Sequence, residues 1–551
     1  LLLVRVGAWE KGDRSPVGEL EGNLGPVGDL AAESEAILRT HEIVTDAWTE
    51  EVTACLPAAG AEWRPSAADL EGRLDLREGQ ALVASIDPPG CVDIDDALHC
   101  HEVSPGKWEV GVHIADVSHF VAAGCALDLA AAKRGTSTYL VEQRVDLVPE
   151  LLAADLCSLH ADADRLAISV IWQLDAEANL LGPPRFARSV IRSSASLSYG
   201  DAQAVIDDAD RGDGLALGLR QLDHLAQRLR QRRREAGAFM LNGGDAKVNR
   251  AADDSLVLTN QAGLQVNELI EEWMVLANAA VATQIVGAFP EAALLRRHAP
   301  PTEDSLQWLQ LALEQRGLTL DGSSAASLGQ SLDNLTTTTA AEPAFCDLLK
   351  HLVTRLLPPA RYVRAGSVAD AEHRHTGLAL PLYTHFTSPI RRYADQLVHR
   401  MLGASLGWPG YAINAEEDHD HDKLDTLART LNERKGAAKQ AERDSLGLYT
   451  LSYFREQVAK HGEGPTVDAF VVGLQENGVK LHLPDYSMDD FAFVCGNSQA
   501  NPFSLEEEGR VLRADDVALR MLDRVKVRVG IDDSRIHARL KLEIVEPVLP
   551  T

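Results

Sequence analysis

Residues 85–99 have the sequence SIDPPGCVDIDDALH, which places Asp87, Asp93, Asp95 and Asp96 within ten positions between strand-like apolar segments. The Pro-Pro-Gly run at 88–90 predicts a turn that brings Asp87 back towards the other three carboxylates. Two carboxylates about 4 Å apart repel by roughly 4 kcal/mol at an effective dielectric of about 20, so a partly buried cluster must bind protons or cations. We therefore expect a functional site here.

The aspartates suit a hard divalent cation. Mg²⁺, with Mn²⁺ as an alternative, binds a few carboxylates and keeps other positions for water and substrate phosphate. Asp93 and Asp95 would share a face in an extended segment. An EF-hand calcium loop is disfavoured, because Ala97 takes the next alternate position and no glycine follows. A purely structural cluster, in which the aspartates cap turns and pair with arginines, stays open as the alternative.

A second motif, SPIRRYADQLVHRML, begins at Ser388 and predicts a helix with Ser388 as N-cap and Pro389 in the first helical position. Arg391 and Arg392 would then lie in the first turn. Cations are unfavourable there, whereas free N–H groups and the helix dipole favour a bound phosphate. The alternative is an ion pair between Arg391 and Asp395. Hydrolysis of a phosphodiester can use a bound metal ion that activates water and an arginine that stabilises the charge on the phosphoryl oxygens. The two motifs together supply both groups.

Composition indicates an acidic multidomain protein. The chain has 551 residues, 82 of them acidic and 53 basic, with a formal net charge of -29. Such a charge argues against non-specific coating of nucleic acid, so a polyanion must be bound locally by metal ions or clustered arginines. The seven cysteines show no metal-ligand spacing and indicate reduced core thiols in an intracellular protein. The most apolar run, from Val275, contains Asn278 and Gln284 and predicts a buried helix and no membrane span.

The middle of the chain combines strand-like and helical patterns. Segments 110–120 and 165–174 are rich in apolar and β-branched residues and predict strands. Apolar residues from Leu215 to Leu229 recur at helical spacing, and Gly237 suits the C′ position of that helix. The arginine run at 228–234 is left unassigned, because such runs are usually solvated faces.

Beyond residue 465, segments 479–483, 525–529 and 536–544 alternate apolar with mainly basic residues. A small antiparallel barrel that binds single-stranded nucleic acid would have this pattern. An ordinary half-exposed sheet is the alternative.

Two histidine-containing stretches are assigned no chemistry. The stretch EEDHDHDK at 416–423 is interpreted as a solvated acidic loop and not as a metal site. His113 and His119 are interpreted as sheet histidines with satisfied hydrogen bonds and not as general bases.

Seven segments, in this order, closely resemble the RNB domain of the ribonuclease II family of 3′-to-5′ exoribonucleases: IDPPGCVDIDDALHC, VGVHIADVSHF, KRGTSTYL, VPELLAADLCSL, ELIEEWMVLAN, LLRRHAPP and YTHFTSPIRRYADQLVHR. The resemblance covers about residues 76–460. Within the family it is closest to the catalytic exoribonuclease subunit of the eukaryotic exosome.

The resemblance implies roles for individual residues. Asp87, Asp93, Asp95 and Asp96 match the metal-binding acidic positions, with Asp87 and Asp96 as the more direct ligands and Asp95 as the residue most critical for cleavage. Catalysis is assigned to Asp95, Asp96 and Arg391, the last as the residue that stabilises phosphate. RNA contacts are assigned to Tyr139, which would stack near the terminal nucleotide, and to Arg391, Arg392, Glu442 and Glu272.

The resemblance also implies an α+β multidomain fold, with a central mixed α/β RNB domain flanked by β-barrel OB-type domains. We expect the end of a truncated cold-shock-type domain at 1–35, a connector at 36–75, the RNB domain at 76–460 and a C-terminal OB-type RNA-binding domain at 465–548. We expect the chain to lack the family's first cold-shock domain and, compared with the exosome subunit, the endonuclease domain. This leaves exosome docking and endonuclease activity open.

The implied activity is processive hydrolysis of single-stranded RNA to nucleoside 5′-monophosphates, in nucleus and cytoplasm, with the exosome core as partner if the full protein carries the N-terminal region. One alternative is an exosome-independent cytoplasmic relative that prefers uridylated tails. The other is a non-catalytic RNA-binding regulator on the same scaffold.

Overall fold

The fold is taken from a computed structural model that describes residues 1–9, 15–78, 82–240, 245–250, 255–261, 263–411, 421–494, 503–506, 511–514, 516–534 and 537–549. The N-terminal part contains β1 (Leu2–Val6), β2 (Gly18–Asn23), α1 (Leu30–Thr40), α2 (Glu50–Thr53) and α3 (Ala67–Leu70). Strands β1 and β2 pair antiparallel. Helix α1 begins after Asp29, whose carboxylate accepts the N–H of Ala32, and it crosses the predicted boundary at residue 35.

The central part of the chain supplies most of the regular structure. Its first half contains β3 (Leu74–Leu76), β4 (Ala84–Asp87), β5 (Asp96–Ser104), β6 (Lys107–Ala115), α4 (Val117–Phe120), α5 (Ala126–Arg134), β7 (Thr138–Tyr139), β8 (Arg144–Val145), β9 (Asp164–Asp175), β10 (Arg185–Arg192) and β11 (Ala195–Ser198). Its second half contains α6 (Tyr199–Asp207), α7 (Gly214–Glu235), β12 (Asp245–Arg250), β13 (Leu256–Gln261), α8 (Gln265–Ala288), β14 (Leu294–Arg297), α9 (Glu303–Glu314), α10 (Ala325–Thr338), α11 (Pro343–Leu356), β15 (Arg361–Arg364), α12 (Tyr393–Ser405) and α13 (His421–His461).

A seven-stranded mixed sheet organises this central domain, in the order β11-β4-β5-β6-β9-β10-β3. One face packs on helices, where Trp172 of β9 lies 6.4 Å from Trp273 of α8, measured between ring centroids. The predicted strand at 165–174 is confirmed by β9. The strand predicted at 110–120 ends at Ala115, because Asp116 accepts the N–H of His119 and starts the short helix α4. His119 is therefore not a sheet residue, whereas His113 is.

Helices α7 and α8 confirm two predictions. Helix α7 ends before Gly237, which has a φ of 91°, as expected for a C′ glycine. Within the described residues, one helix, α8, is long and apolar enough to cross a membrane. Its side chains Trp273, Val281 and Ile285 are fully buried in the main core, which agrees with the interpretation as a buried helix.

The arginines at the end of α7 bind within the protein. Arg232 donates to the carbonyl of Ala178 at 2.8 Å, and Arg234 pairs with Asp333. The structural anchors of the run are Arg230, Arg232, Arg233 and Arg234.

The C-terminal part contains β16 (Thr466–Gln475), β17 (Gly478–Leu483), β18 (Met488–Phe493), β19 (Ser504–Glu506), β20 (Val511–Ala514), β21 (Val517–Arg520), β22 (Arg524–Asp532) and β23 (Arg539–Glu546). Five of these strands form an antiparallel sheet in the order β18-β17-β16-β22-β23, whose edge strands approach each other. The predicted strands at 479–483 and 525–529 are confirmed by β17 and β22. The third segment forms a strand only from Arg539 onward, and Ile536 lies outside the described residues.

Among the described residues of this domain, His482 departs from the outward basic pattern. His482, expected on the outer face, is 2% exposed and contacts Asp489 at 2.8 Å. Of the outward lysines, Lys526 pairs with Glu546 at 3.1 Å.

Two further predictions have mixed outcomes. Among the described residues six cysteines are free, but only Cys100 and Cys157 are fully buried, so the term core thiol fits these two. Cys495 lies outside the described residues. So does most of the acidic stretch at 416–423, because the description resumes at residue 421 with α13.

Candidate active site

The aspartate cluster lies at one edge of the central sheet. Strand β4 ends at Asp87 and its antiparallel neighbour β5 begins at Asp96, so the two carboxylates leave the sheet at the same edge. The connecting loop turns at Pro88, whose carbonyl accepts the N–H of Cys91 at 3.1 Å. The predicted turn therefore returns the chain towards Asp87.

Asp87 and Asp96 form a buried acidic pair whose pKa values are both raised, although the charge of Arg391 opposes the shift. Burial and repulsion from Asp93 raise the pKa of Asp87 to about 6. Burial and repulsion from Asp87 raise the pKa of Asp96 to about 7. The Oδ2 atom of Asp87 is buried and accepts no hydrogen bond among the described residues. A divalent cation would satisfy this oxygen and remove the repulsion, so the donor set fits Mg²⁺ or Mn²⁺.

Asp93 has protein partners. Its carboxylate accepts hydrogen bonds from Nη1 of Arg144 at 2.7 Å and from the hydroxyl of Tyr139 at 2.8 Å. Tyr139 and Arg144 are paired residues of the β7–β8 hairpin. No sequence pattern predicts the role of Arg144, because the short β7–β8 hairpin that places it next to Asp93 has no recognisable sequence periodicity.

Asp95 faces the Ser-Pro-Ile-Arg-Arg motif. Its Oδ1 accepts the N–H of Ile390 at 2.8 Å, and its Oδ2 lies 3.4 Å from Nε of Arg391. Burial raises the pKa of Asp95 well above its ordinary value, although the positive charge of Arg391 opposes the shift. The two motifs that are distant in sequence therefore meet at one carboxylate.

The predicted helix start at Ser388 is wrong. Helix α12 begins at Tyr393, and Arg392 before it is extended with a φ of -134°. The N–H of Ile390 goes to Asp95, and the N–H of Ser388 goes to Asp395 at 2.8 Å. Residues 389–391 form a turn instead, because tertiary hydrogen bonds outweigh the local capping preference.

The two arginines of the motif differ in their surroundings. Arg392 donates to both oxygens of Asp395, at 2.7 and 2.8 Å, and Asp395 is fully buried. The ion pair with Asp395 that was the alternative for Arg391 is thus made by Arg392. The guanidinium of Arg392 therefore stabilises the fold. The side chain of Arg391 is 44% exposed and donates to Oγ of Ser388 at 2.9 Å. Arg391 is the arginine that a ligand can reach.

Buried polar groups fix the segment that carries Arg391. The Oδ1 atom of Asn278 on α8 accepts the N–H of Phe386 at 2.7 Å, and His399 contacts the carbonyl of Phe386 at 2.8 Å. Gln396 donates to the carbonyl of Pro389 at 2.8 Å. The turn is therefore anchored from both α8 and α12.

The two glutamates predicted near the site have different positions. Oε1 of Glu442, on α13, accepts the backbone N–H of Tyr139 at 3.3 Å and so borders the cluster. Glu272 is 2% exposed and accepts hydrogen bonds from Arg233 at 2.8 and 2.5 Å. Its pairing joins α7 to α8 and gives Glu272 a structural partner. The contact of Glu272 with RNA stays a prediction.

Sequence reasoning missed Tyr199 and Cys91. Tyr199 begins α6 directly after β11, the strand parallel to β4. Burial and the charges of Asp96 and Asp87 raise its pKa to about 12. Burial and the charges of Asp87 and Asp93 also raise the pKa of Cys91 to about 12. Both groups therefore stay neutral near pH 7.

The mixed sheet, the aspartates at its strand ends and the turn that carries Arg391 are the features by which the protein can be assigned to a family. Residues 73–407 match the family model described as RNB domain, and residues 1–42 match the model described as Dis3-like cold-shock domain 2. The chain belongs to the RNB-domain family. This confirms the resemblance and the predicted fold class.

Among relatives, the chain is 38% identical over 553 residues to the human exosome complex exonuclease RRP44, covering 100% of this chain and 56% of that protein. It therefore spans little more than half of that relative. The fold is similar to RNase R of Mycoplasma genitalium in complex with ribose methylated single-stranded RNA, with TM-score 0.81, 21% identity and coverage of 96% and 80%. It is also similar to yeast Ssd1, a pseudonuclease, with TM-score 0.81, 17% identity and coverage of 100% and 78%.

Proposed function

We propose that this chain is a metal-dependent 3′-to-5′ exoribonuclease that hydrolyses single-stranded RNA processively to nucleoside 5′-monophosphates. The observation that carries the proposal is the approach of Arg391 to Asp95, next to Asp87 and Asp96, whose pKa values are raised. This arrangement combines a cation-binding edge with an exposed guanidinium, as cleavage of a phosphodiester requires.

In this proposal Asp87 and Asp96 are the direct ligands of Mg²⁺ or Mn²⁺, and Asp93 and Asp95 complete the acidic site. When bound, the metal supplies an activated water and neutralises phosphate charge. Asp93 is oriented by Arg144 and Tyr139, and Asp95 fixes both the turn at Ile390 and the position of Arg391.

Two residues contact the RNA. Arg391 donates to the phosphoryl oxygens, where negative charge increases during cleavage. Tyr139 is 37% exposed, and its ring stacks on the terminal base, while Asp93 binds its hydroxyl. Glu442 fixes the backbone of Tyr139 from α13.

In this proposal the RNA reaches the acidic site through two cavities that are lined in part by the C-terminal barrel. A cavity of about 1280 Å³ lies between the N-terminal segment, α13 and the C-terminal barrel, and its lining includes Glu33, Arg443 and Arg455. Arg443 follows Glu442 directly, so this cavity and the acidic site share one stretch of α13. A second cavity, of about 600 Å³, exposes Phe493 and Arg539 of the barrel. Aromatic and basic groups of this kind bind single strands.

The partner that fits the relatives is the exosome core, because the human relative is named an exosome complex exonuclease. We extend this partnership to the protein described here, acting in nucleus and cytoplasm.

The experiment that tests the proposal uses single-stranded RNA labelled at its 5′ end, with Mg²⁺, and identifies the released products. We expect shortening from the 3′ end with nucleoside 5′-monophosphates as products. The control variant Asp207→Asn changes an exposed aspartate outside the site and should cleave at the wild-type rate. RNA binding without release of mononucleotides would support the non-catalytic regulator instead. A strong preference for uridylated tails would support the exosome-independent alternative.

A further inference from the structure

A second cluster of metal-ligating side chains lies on β5 and β6, away from the aspartates. His99 and His101 are two positions apart on β5 and so share a face of the sheet. Glu109 on β6 is the direct cross-strand partner of His101. One ligand atom from each of these three residues lies within 4.8 Å of the others. The register of the hairpin therefore brings two imidazoles and a carboxylate to one point.

Two ring nitrogens of this cluster are buried and make no hydrogen bond within the part of the chain that the structure describes. His99 is 1% exposed, and neither its Nε2 nor the Nδ1 of His101 makes a hydrogen bond among the described residues. Nε2 of His99 lies 3.7 Å from Oε1 of Glu109, which is too long for a hydrogen bond. Buried polar atoms without partners are costly and call for a physical cause.

The other nitrogen of His99 belongs to a buried chain of hydrogen bonds. Nδ1 of His99 lies 2.7 Å from Nε2 of His113, and Nδ1 of His113 lies 2.7 Å from Oγ of Ser169. Ser169 contacts Oγ of Ser189 at 2.6 Å, and Ser189 donates to the carbonyl of Ala167 at 3.3 Å.

This series of hydrogen bonds determines which nitrogen of His99 and of His113 carries the proton when both rings are neutral. If Ser189 donates to Ala167, Ser169 donates to Ser189, and the ring of His113 donates to Ser169. Nε2 of His113 then accepts from Nδ1–H of His99. The lone pair of Nε2 of His99 is left pointing at the carboxylate of Glu109. A cation between the two groups satisfies both, and a metal-bound histidine usually donates its other N–H in this way.

Gly111 makes this arrangement possible. It is paired with His99 across the strands, and a Cβ atom at Gly111 would overlap the His99 ring. The glycine thus lets the ring lie flat across β6 towards His113.

We propose that His99, His101 and Glu109 form a second metal site, which takes a transition metal of the Zn²⁺ type and not Mg²⁺. Two imidazoles and one carboxylate suit zinc, with water in the remaining position, whereas Mg²⁺ prefers oxygen ligands. The ion enters from the solvent side, since the Glu109 side chain is 22% exposed. Strand β5 also carries Asp96, so this ion would stiffen the strand that presents the active-site carboxylate.

The test measures Zn²⁺ binding to the full chain after chelator treatment, by competition with a chromophoric chelator in excess Mg²⁺, which fills the carboxylate site. We expect one tight equivalent. Removing even an outer partner of a ligand costs 10- to 100-fold in metal affinity, so His101→Gln and Glu109→Gln should each weaken Zn²⁺ binding by about a hundredfold or more. Both side chains are partly exposed, and circular dichroism checks that the variants fold.

Three further variants define specificity. Glu102→Gln changes an exposed neighbour on β5, and Asp87→Asn changes the acidic site, so both should keep the tight equivalent. Arg185 acts on Glu109 through its positive charge, so Arg185→Gln should strengthen Zn²⁺ binding. Absence of a tight equivalent in the wild type, or its persistence in both ligand variants, would overturn the proposal. RNA hydrolysis is not part of this readout, so its result is independent of the proposed enzyme function.

Discussion

Nε of Arg391 lies 3.4 Å from Oδ2 of Asp95, although the two residues belong to motifs at opposite ends of the central domain. The carboxylate also accepts the N–H of Ile390. One side chain therefore sets the position of the turn and of its exposed guanidinium.

The first prediction follows from this contact. Asp95→Asn keeps an acceptor for the N–H of Ile390 but removes the charge beside Arg391, so RNA hydrolysis should fall by about a thousandfold or more. RNA binding should remain within about threefold of wild type, because the exposed face of Arg391 is unchanged. Single-turnover kinetics and a binding titration measure the two effects, and unchanged turnover would refute the assignment of Asp95.

The adjacent arginines should separate catalysis from stability. Arg391→Ala removes a 44% exposed side chain, so it should lower kcat strongly and leave the free energy of unfolding nearly unchanged. Arg392→Ala leaves the buried carboxylate of Asp395 without its partner, which should destabilise the protein by about 3 kcal/mol. Denaturant unfolding and kinetics on both variants check the contrast, and the opposite pattern would contradict it.

Metal binding should depend on pH through Asp87 and Asp96. Their folded-state pKa values, about 6 and about 7, exceed the ordinary 3.8. Without metal, the folded protein therefore binds more protons than the unfolded chain between about pH 4 and about pH 7. The free energy of unfolding falls as the pH rises through this range. Mg²⁺ should therefore bind more tightly, and raise Tm more, at pH 8 than at pH 5.

Thermal unfolding with and without Mg²⁺ at both pH values measures this effect. Asp87→Asn should bind Mg²⁺ more weakly and show a smaller pH dependence, because one of the two titrating groups is gone. A Mg²⁺ effect of equal size at both pH values in the wild type would contradict the pairing.

Tyr139 tests the stacking role. Tyr139→Ala removes the ring and should raise KM for RNA by about tenfold, within the 1–3 kcal/mol measured for stacking on one base. Tyr139→Phe keeps the ring and loses only the hydrogen bond to Asp93, so its KM should stay near wild type. Equal effects of the two substitutions would mean that the hydroxyl, and not the ring, is the important group.

The barrel should contribute affinity and not chemistry. Phe493 is 52% exposed, packs edge-on against Phe491 at 4.9 Å between centroids, and lies under the guanidinium of Arg539 at 5.3 Å. Phe493→Ala should weaken RNA binding by about tenfold with kcat unchanged. Leu181→Ala, which shortens an exposed apolar side chain of the central domain, is the matched control and should bind RNA normally.

The sequence by itself determined the composition of the site and much of the secondary structure. The Pro-Pro-Gly run at 88–90 predicted the turn that brings the chain back towards Asp87, and the apolar periodicity predicted how α7 ends and which helix is buried. These are local properties, because chain geometry over a few residues decides them. The order of the motifs indicated the family.

Only the tertiary structure decided how the charges are paired. Ser388 and Pro389 have a local preference to start a helix, yet the carboxylates of Asp95 and Asp395 take the N–H groups and leave a turn. Arg144, Tyr199 and the contact between His99 and Glu109 carry no sequence pattern, because hydrogen bonds and ion pairs between distant segments depend on the packing that brings them together. The same packing leaves Arg391 accessible to a ligand, whereas Arg392 is paired with the buried carboxylate of Asp395.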